Sequence, residues 1–272
     1  NLFRFKTSGV KIVQMLIFGI VSILTAGIWF GIEYLTNGPV FLEAFFKYQV
    51  RLLTTGDAGF SGPFYYHFLV VLIGCFPASL FIFHSFKKDK TDEPGHEDFR
   101  LIMMILMFVV LIIFSIVKTK IVHYSSMTYY PLTFLAAFTA YKLINGKVER
   151  IGFIKYSTAI IGVFIGLLLS ALSLIGIFKE DIIPYVQDEF VRANLLADSV
   201  WFGFEPLIGA LLIFVSLYGV YLLNKKQFAK AFVLLYGGTA LTLSLMLPLI
   251  LPQIENYVQG APVEFYKSLR GK

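Results

Sequence analysis

The sequence has few charged residues and a single cysteine. Asp, Glu, Lys and Arg make up 15% of its 272 residues, whereas soluble domains contain about 25%. The one cysteine, Cys75, excludes a disulfide within the chain. The sequence also lacks the motifs of nucleotide sites, dinucleotide sites, zinc proteases and hydrolases with a nucleophile elbow. These absences argue against the soluble enzyme classes that carry such motifs.

Long apolar runs are abundant instead. Hydrophobic residues make up 57% of the chain, and the mean hydropathy is +0.76. Runs of about 17–25 apolar residues can cross a hydrocarbon core about 30 Å thick. In lipid, a segment outside a closed β-barrel can pair its backbone N–H and C=O groups only as a helix. We therefore predict an all-α polytopic membrane protein with interfacial helices in its outer loops. The seven predicted transmembrane helices are Ile12–Tyr34, Pro63–Phe83, Leu101–Val117, Met127–Ile144, Tyr156–Phe178, Pro206–Leu223 and Ala231–Leu251.

The distribution of lysine and arginine predicts the orientation of these spans. With the N-terminus inside, more than half of the 23 basic residues fall in the inner segments, which are short. The positive-inside rule then places the N-terminus in the cytoplasm and the C-terminus outside. We expect an integral protein of the bacterial inner (plasma) membrane. The net charge of +6 follows from this bias and does not indicate nucleic-acid binding.

No Asp, Glu, Lys or Arg lies in the middle of a predicted span. A charge at the bilayer centre costs about 2.5–3.5 kcal/mol, so such residues are kept where a transport path or a proton relay needs them. Their absence argues against an ion-coupled transporter. Because the polar residues collect at the outer ends of the spans, we expect the functional site at the outer membrane interface.

The first outer loop, residues 35–62, predicts an amphipathic helix that lies in the interface. Its apolar residues recur at helical spacing, and Lys47 and Arg51 project together from another side. A surface helix whose basic residues reach lipid headgroups explains the same pattern equally well. We interpret the segment TTGDAGFSGP as a flexible turn. His67, at the start of the next span, is interpreted as an interfacial residue rather than a metal ligand.

The second outer connection, residues 118–126, is short and basic. It carries Lys118 and Lys120, followed by a His-Tyr pair. Both ammonium groups stay near headgroup depth on so short a connection, and in an extended chain they point the same way. An ammonium group suits a phosphate, and basic residues are otherwise uncommon on the outer side. We therefore predict that these two lysines, together with Lys47 and Arg51 of the first outer loop, bind a phosphate, with ordinary interfacial anchoring as the alternative.

The rest of the outer face carries weaker signals. Residues 179–205 contain six acidic residues without metal-like spacing, and we interpret them as a solvated surface. Residues 252–272 predict the start of a soluble outer domain, so that residues 1–251 form the transmembrane domain. The chain begins without Met, and we expect it to be the C-terminal part of a longer protein and inactive by itself.

Three segments of the chain follow one another in the order of a known family. They are YQVRLLTTGDAGFSGPFYYHFLVVLIGCFPASL, KTKIVHYSSMTYYPLTFLAAFTA and IENYVQGAPVEFYKSL. The lysine pair, the His-Tyr and the Tyr-Pro of the second segment are the most distinctive. Together these segments resemble the polyprenyl-phosphate-dependent glycosyltransferases of the GT-C fold, in the aminoarabinose transferase (ArnT-like) and protein mannosyltransferase superfamily.

This resemblance implies a reaction and a set of partners. A hexosyl or pentosyl group would pass from a polyprenyl-phosphate donor to a lipid A-type or protein acceptor in the cell envelope, at the outer face of the membrane. The catalytic acids are implied upstream of Asn1. The full-length protein could bind a divalent metal, but Tyr48 stands where relatives can carry a histidine, and no metal ligand is assigned.

The resemblance also assigns roles to residues of this chain. Arg51, Lys118 and Lys120 are implied to bind the donor phosphate. The residues implied to line the pocket are Tyr48, Tyr66, His123 and Tyr124. Two other functions stay open at this point: a carrier or flippase for a lipid-linked saccharide, which would need no catalytic carboxylate, and a non-catalytic membrane anchor.

Overall fold

The computed structural model describes residues 12–86, 94–148 and 151–270. The described residues are mostly helical and contain no β-strand, which confirms the all-α prediction. The helices are α1 (Ile12–Asn37), α2 (Val40–Thr54), α3 (Tyr66–Gly74), α4 (Ala78–Ser85), α5 (Pro94–Ile116), α6 (Tyr129–Ile144), α7 (Gly152–Ile177), α8 (Lys179–Ile182), α9 (Glu189–Leu195), α10 (Pro206–Asn224), α11 (Phe228–Leu249) and α12 (Leu251–Ser268). Several basic residues that enter the predicted orientation lie outside the described residues: Arg4, Lys6, Lys11, Lys87, Lys88, Lys90 and Arg150.

The predicted count of seven spans is not confirmed. Within the described residues, five helices are long and apolar enough to cross a membrane, or six if one bent pair of helices counts as a span. The predicted span Met127–Ile144 corresponds to α6, which has 16 residues. At 1.5 Å per residue α6 is about 24 Å long, short of a hydrocarbon core of about 30 Å.

The bent pair is α3 and α4, which replace the single span predicted at Pro63–Phe83. Their axes differ in direction by 110°. The break lies at Cys75–Pro77, where proline has no N–H to continue the helical hydrogen bonds. The Ser79 hydroxyl donates to the Leu72 carbonyl at 2.6 Å and so satisfies a carbonyl near the break.

The chain divides into two compact units. The first comprises Asn1–Tyr66 and Ile113–Ile121. In it, aromatic rings of α1 and α2 meet in pairs: the Trp29 and Phe41 ring centroids are 5.5 Å apart, and those of Phe30 and Phe45 are 5.7 Å apart. The helix predicted in the first outer loop is therefore present as α2.

The second unit comprises His67–Ile112 and Val122–Lys272 and contains the buried apolar core. α4 is buried against α6: Phe81, Leu132 and Leu135 belong to one cluster of buried side chains. The Ser85 hydroxyl at the end of α4 donates to the Leu135 carbonyl at 2.8 Å. Most of the short helix after the break is therefore buried against the rest of the second unit.

Small residues bring α7 and α10 close together in the second unit. A Cβ atom added to Gly209 would collide with the carbonyl of Gly166 and with Ser170. The Ser170 hydroxyl donates to the Pro206 carbonyl at 2.9 Å. Close backbone approach at small residues is typical of helix pairs in membranes.

One charged residue is buried at the start of α5. Arg100 is 4% exposed, donates to Glu97 at 3.0 Å and also donates to the carbonyl of Ser85. The pairing offsets the cost of burying the charge. In the sequence, Arg100 stands just before a predicted span and gives no sign of burial.

Residues 179–205, predicted to lie on the outer face, make buried polar contacts and are not solvated throughout. Glu205 is fully buried and accepts hydrogen bonds from the backbone N–H groups of Phe202 (2.7 Å) and Gly203 (2.9 Å). Trp201 donates to the Tyr257 hydroxyl of α12 at 2.9 Å. The interpretation of the six acidic residues as a solvated surface is therefore wrong for Glu205. Most of the segment predicted to start a soluble outer domain, residues 252–272, lies in α12, which ends at Ser268.

Candidate functional site

The C-terminal ends of α2 and α5 meet at a short segment of the first unit, Val117–Lys120. The backbone N–H of Lys118 donates to the Leu53 carbonyl at 3.1 Å, and that of Thr119 donates to the Leu52 carbonyl at 3.1 Å. Helix ends leave such carbonyls unpaired, and here the N–H groups of Lys118 and Thr119 satisfy them. The structure thus joins the two loops from which the predicted basic residues come.

Lys120 caps the end of α5. Its ammonium group donates to the carbonyls of Phe114 (3.2 Å), Ser115 (2.7 Å) and Val117 (2.6 Å), and the residue is 3% exposed. An ammonium has three N–H donors, so these bonds use all of them. A cation at a helix C-terminus also interacts favourably with the helix dipole. Burial lowers the pKa of Lys120.

Gly62 lies between the stem of Lys120 and the ring of Tyr66. A Cβ atom added to Gly62 would be 3.1 Å from Lys120 Cγ and 3.4 Å from Tyr66 Cδ2. The Lys120 backbone N–H also donates to the Phe60 carbonyl at 2.9 Å. The predicted pocket residue Tyr66 is therefore half-buried beside the apolar part of Lys120.

Arg51 lies in the last turn of α2 and is paired with Asp57. Arg51 Nη2 is 2.8 Å from each oxygen of the Asp57 carboxylate. The hydrogen bond and the charge of Asp57 raise the pKa of Arg51 above its ordinary value. Arg51 Cζ also lies 5.2 Å from the centroid of the Tyr48 ring, a cation–π contact. Both Arg51 and Lys118 are exposed, unlike Lys120.

Asp57 and Thr119 are site residues that the sequence did not reveal. The segment interpreted as a flexible turn is tied down: the Asp57 backbone N–H donates to Thr119 Oγ1 at 3.1 Å, and Thr119 Oγ1 donates to the Thr55 carbonyl at 2.8 Å. An acidic residue between two glycines is a turn signal that could have identified Asp57. A lone threonine between two lysines carries no comparable signal.

The remaining predicted residues belong to the second unit. His123 is exposed and Tyr124 is half-buried, and their rings make an edge contact with centroids 5.3 Å apart. His67 is fully buried within the protein, and its place at the membrane interface stays a prediction. Within the described residues, no group of three or more His, Cys, Asp or Glu side chains is arranged to hold a metal ion.

Comparisons of the chain with family models, curated proteins and solved structures gave no match. The resemblance to the GT-C glycosyltransferases therefore rests on the three segments quoted from the sequence. The residues of the site, above all the exposed cations Arg51 and Lys118, provide the remaining basis for a functional inference.

Proposed function

We propose that this chain carries the donor-phosphate site of a membrane glycosyltransferase. The enzyme would transfer a sugar from a polyprenyl-phosphate carrier to a lipid or protein acceptor at the outer face of the membrane. One observation supports this most: the backbone bond from Lys118 to Leu53 brings an exposed lysine next to the helical turn that carries the exposed Arg51. Two accessible cations are thereby brought to the place where the amphipathic helix α2 and the apolar helix α5 end.

The proposed chemistry needs cations at this place. When the sugar leaves its carrier, negative charge develops on the carrier phosphate, and fixed positive groups stabilise it. A guanidinium can bind phosphate oxygens through parallel N–H groups, whereas an ammonium acts as a compact point charge. Arg51 and Lys118 supply one group of each kind. No catalytic carboxylate is assigned within this chain.

Lys120 supports the proposed site without touching the phosphate. The C-terminal ends of α2 and α5 carry partial negative charge, which would repel a phosphate. The three bonds from Lys120 to the last carbonyls of α5 counter that charge at one of the two ends. The role implied for Lys120 by the resemblance therefore changes from direct contact to support.

Binding of a polyprenyl monophosphate to the chain in lipid nanodiscs tests the proposal. We expect Arg51→Gln and Lys118→Gln each to weaken binding about tenfold, since each removes one charged hydrogen bond to phosphate. Lys267→Gln, a change of an exposed lysine on α12, is the matched control and should leave binding within twofold. Unchanged binding in the Arg51→Gln, Lys118→Gln double variant would overturn the site.

A carrier or flippase for a lipid-linked saccharide is the second candidate, and the bend between α3 and α4 favours it. Broken helices enclosed by protein are common in transporters, where they form substrate sites. The same cations would then hold the phosphate of a lipid that crosses the membrane.

One preparation distinguishes the two functions. The longest available form of the protein is reconstituted with a polyprenyl-phosphate sugar, and sugar transfer to an acceptor and movement of the lipid between leaflets are both measured. Transfer that is lost in Arg51→Gln supports the enzyme. Leaflet exchange without transfer, lost in the same variant, supports the carrier.

A further inference from the structure

The Arg51–Asp57 pair involves one of the two cations of the proposed phosphate site. Both carboxylate oxygens of Asp57 lie 2.8 Å from Arg51 Nη2. A carboxylate and a phosphate present oxygens to a guanidinium in the same way. The Asp57 side chain thus makes the contact that a phosphate ligand would make.

Asp57 is held in place by bonds that do not involve Arg51. Its backbone N–H donates to Thr119 Oγ1 at 3.1 Å, and its carbonyl accepts from the Phe60 N–H at 2.9 Å. Thr119 is 1% exposed, so this anchor is shielded from water. The position of the carboxylate is therefore set by the turn Asp57–Gly59 and the segment that carries Thr119.

Arg51 is the more exposed partner of the pair. Its side chain is 56% exposed, against 20% for that of Asp57. Exposed ion pairs are weak and are screened by salt, so a long side chain can exchange between partners. The guanidinium is able to turn toward a ligand while the carboxylate stays.

We infer that Asp57 is an internal counter-anion that competes with the ligand phosphate for Arg51. This inference rests on the proposed function for the identity of the ligand, but the competition itself concerns any phosphate anion. In the ligand-free protein the carboxylate holds the guanidinium. A bound phosphate must take Arg51 from Asp57, or share it, and lies near a negative charge in either case. Asp57 therefore lowers the affinity of the site for phosphate and favours release of a phosphate-bearing product.

Chemical modification of Arg51 tests the competition without any lipid. Phenylglyoxal reacts with accessible arginine side chains, and mass spectrometry of the digested protein reports the rate at Arg51. We expect Asp57→Asn to raise this rate about threefold or more, because the ion pair is lost. Glu43→Gln, which removes an exposed acid from the same helix, is the control and should leave the rate unchanged.

Inorganic phosphate is then added as the competitor in the same experiment. We expect phosphate to protect Arg51 at a several-fold lower concentration in Asp57→Asn than in the wild type, and the shift to shrink at high salt. Equal protection in the two proteins, or an unchanged rate of modification without phosphate, would overturn the inference.

Binding of a short-chain prenyl monophosphate connects the inference to the proposed function. We expect Asp57→Asn to tighten binding about three- to tenfold, Glu43→Gln to change it less than twofold, and the Arg51→Gln, Asp57→Asn double variant to lose the gain. Weaker binding in Asp57→Asn would show that Asp57 orients Arg51 rather than competing for it. If phosphate protects Arg51 but no prenyl phosphate binds, the competition stands and the proposed function fails.

Discussion

The Asp57 backbone N–H donates to the hydroxyl oxygen of Thr119 across 62 residues of sequence, at 3.1 Å. The same hydroxyl donates to the Thr55 carbonyl at 2.8 Å. One small side chain thereby holds both the end of α2 and the turn that carries the partner of Arg51. The stability of the contact between the end of α2 and the turn Asp57–Gly59 is therefore coupled to the position of the Asp57 carboxylate.

Replacement of Thr119 by valine tests that coupling. Valine keeps the shape but leaves the Asp57 N–H and the Thr55 carbonyl without their partner, which we expect to lower the free energy of unfolding by about 1–3 kcal/mol. Thermal unfolding in detergent is the measurement. Thr54→Val is the control, since the Thr54 hydroxyl is exposed and donates within its own helix to Val50. Equal losses in the two variants would contradict the anchoring role of Thr119.

Replacement of Lys120 by methionine tests its role as a helix cap. The variant keeps the apolar stem and leaves the carbonyls of Phe114, Ser115 and Val117 without the ammonium, so we expect a loss of about 1–3 kcal/mol. Lys118→Met, at an exposed side chain, should change stability by less than about 0.5 kcal/mol. A larger effect at Lys118 than at Lys120 would show that Lys120 is not the cap.

The stability contributed by Lys120 should depend on pH. Burial lowers the pKa of Lys120 below its ordinary value of 10.5. The unfolded chain then binds this proton more strongly than the folded chain, so the free energy of unfolding rises with pH from the folded pKa up to 10.5 and is flat below that window.

Apparent melting temperatures across this alkaline range provide the measurement. The melting temperature of Lys120→Met should fall further below that of the wild type toward pH 10.5, because Lys120 is absent and its contribution to the free energy of unfolding no longer rises with pH. Lys120→Arg stays charged throughout this range, so its free energy of unfolding should also fail to rise with pH. A difference in melting temperature that shrinks with rising pH would mean that the hydrogen bonds to the carbonyls affect the pKa of Lys120 more than burial does.

The contact between α7 and α10 should not tolerate a larger residue at Gly209. An added methyl group would collide with the backbone of Gly166, so we expect Gly209→Ala to lower the free energy of unfolding by about 1–3 kcal/mol. Gly237→Ala in α11 is the matched control: nothing lies within 4 Å of its added Cβ, and the change should be neutral or stabilising. Thermal unfolding compares the two variants, and equal melting temperatures would contradict the predicted collision.

The apolar helices follow from the sequence, but the number of spans does not. Runs of apolar residues predict helices because lipid leaves the backbone no other partner, and the part of the chain that the structure describes contains five long apolar helices. The predicted span Pro63–Phe83 fails as a single helix at Pro77, where the direction of the chain changes by 110°. Hydropathy sums a segment and does not respond to the direction that the helix takes after a break.

The site was predicted in part. The high exposure of Arg51 and Lys118 agrees with a binding role, although binding itself stays a prediction. Lys120 has the same residue type and nearly the same position in the sequence, yet its ammonium is occupied by three carbonyls. The difference arises from the end of α5, whose otherwise unpaired carbonyls accept hydrogen bonds from the Lys120 ammonium.

The sequence by itself determined that the chain is apolar and helical, and that its basic residues at the ends of α2 and α5 fall outside the apolar runs. These properties depend on residue type and on short-range spacing. Only the tertiary structure decided which cation is buried and which is exposed, and that Arg51 is paired with Asp57. Those outcomes depend on hydrogen bonds between residues far apart in the sequence. Each donor takes the acceptor that the folded backbone brings within about 3 Å, and residue type alone does not specify that partner.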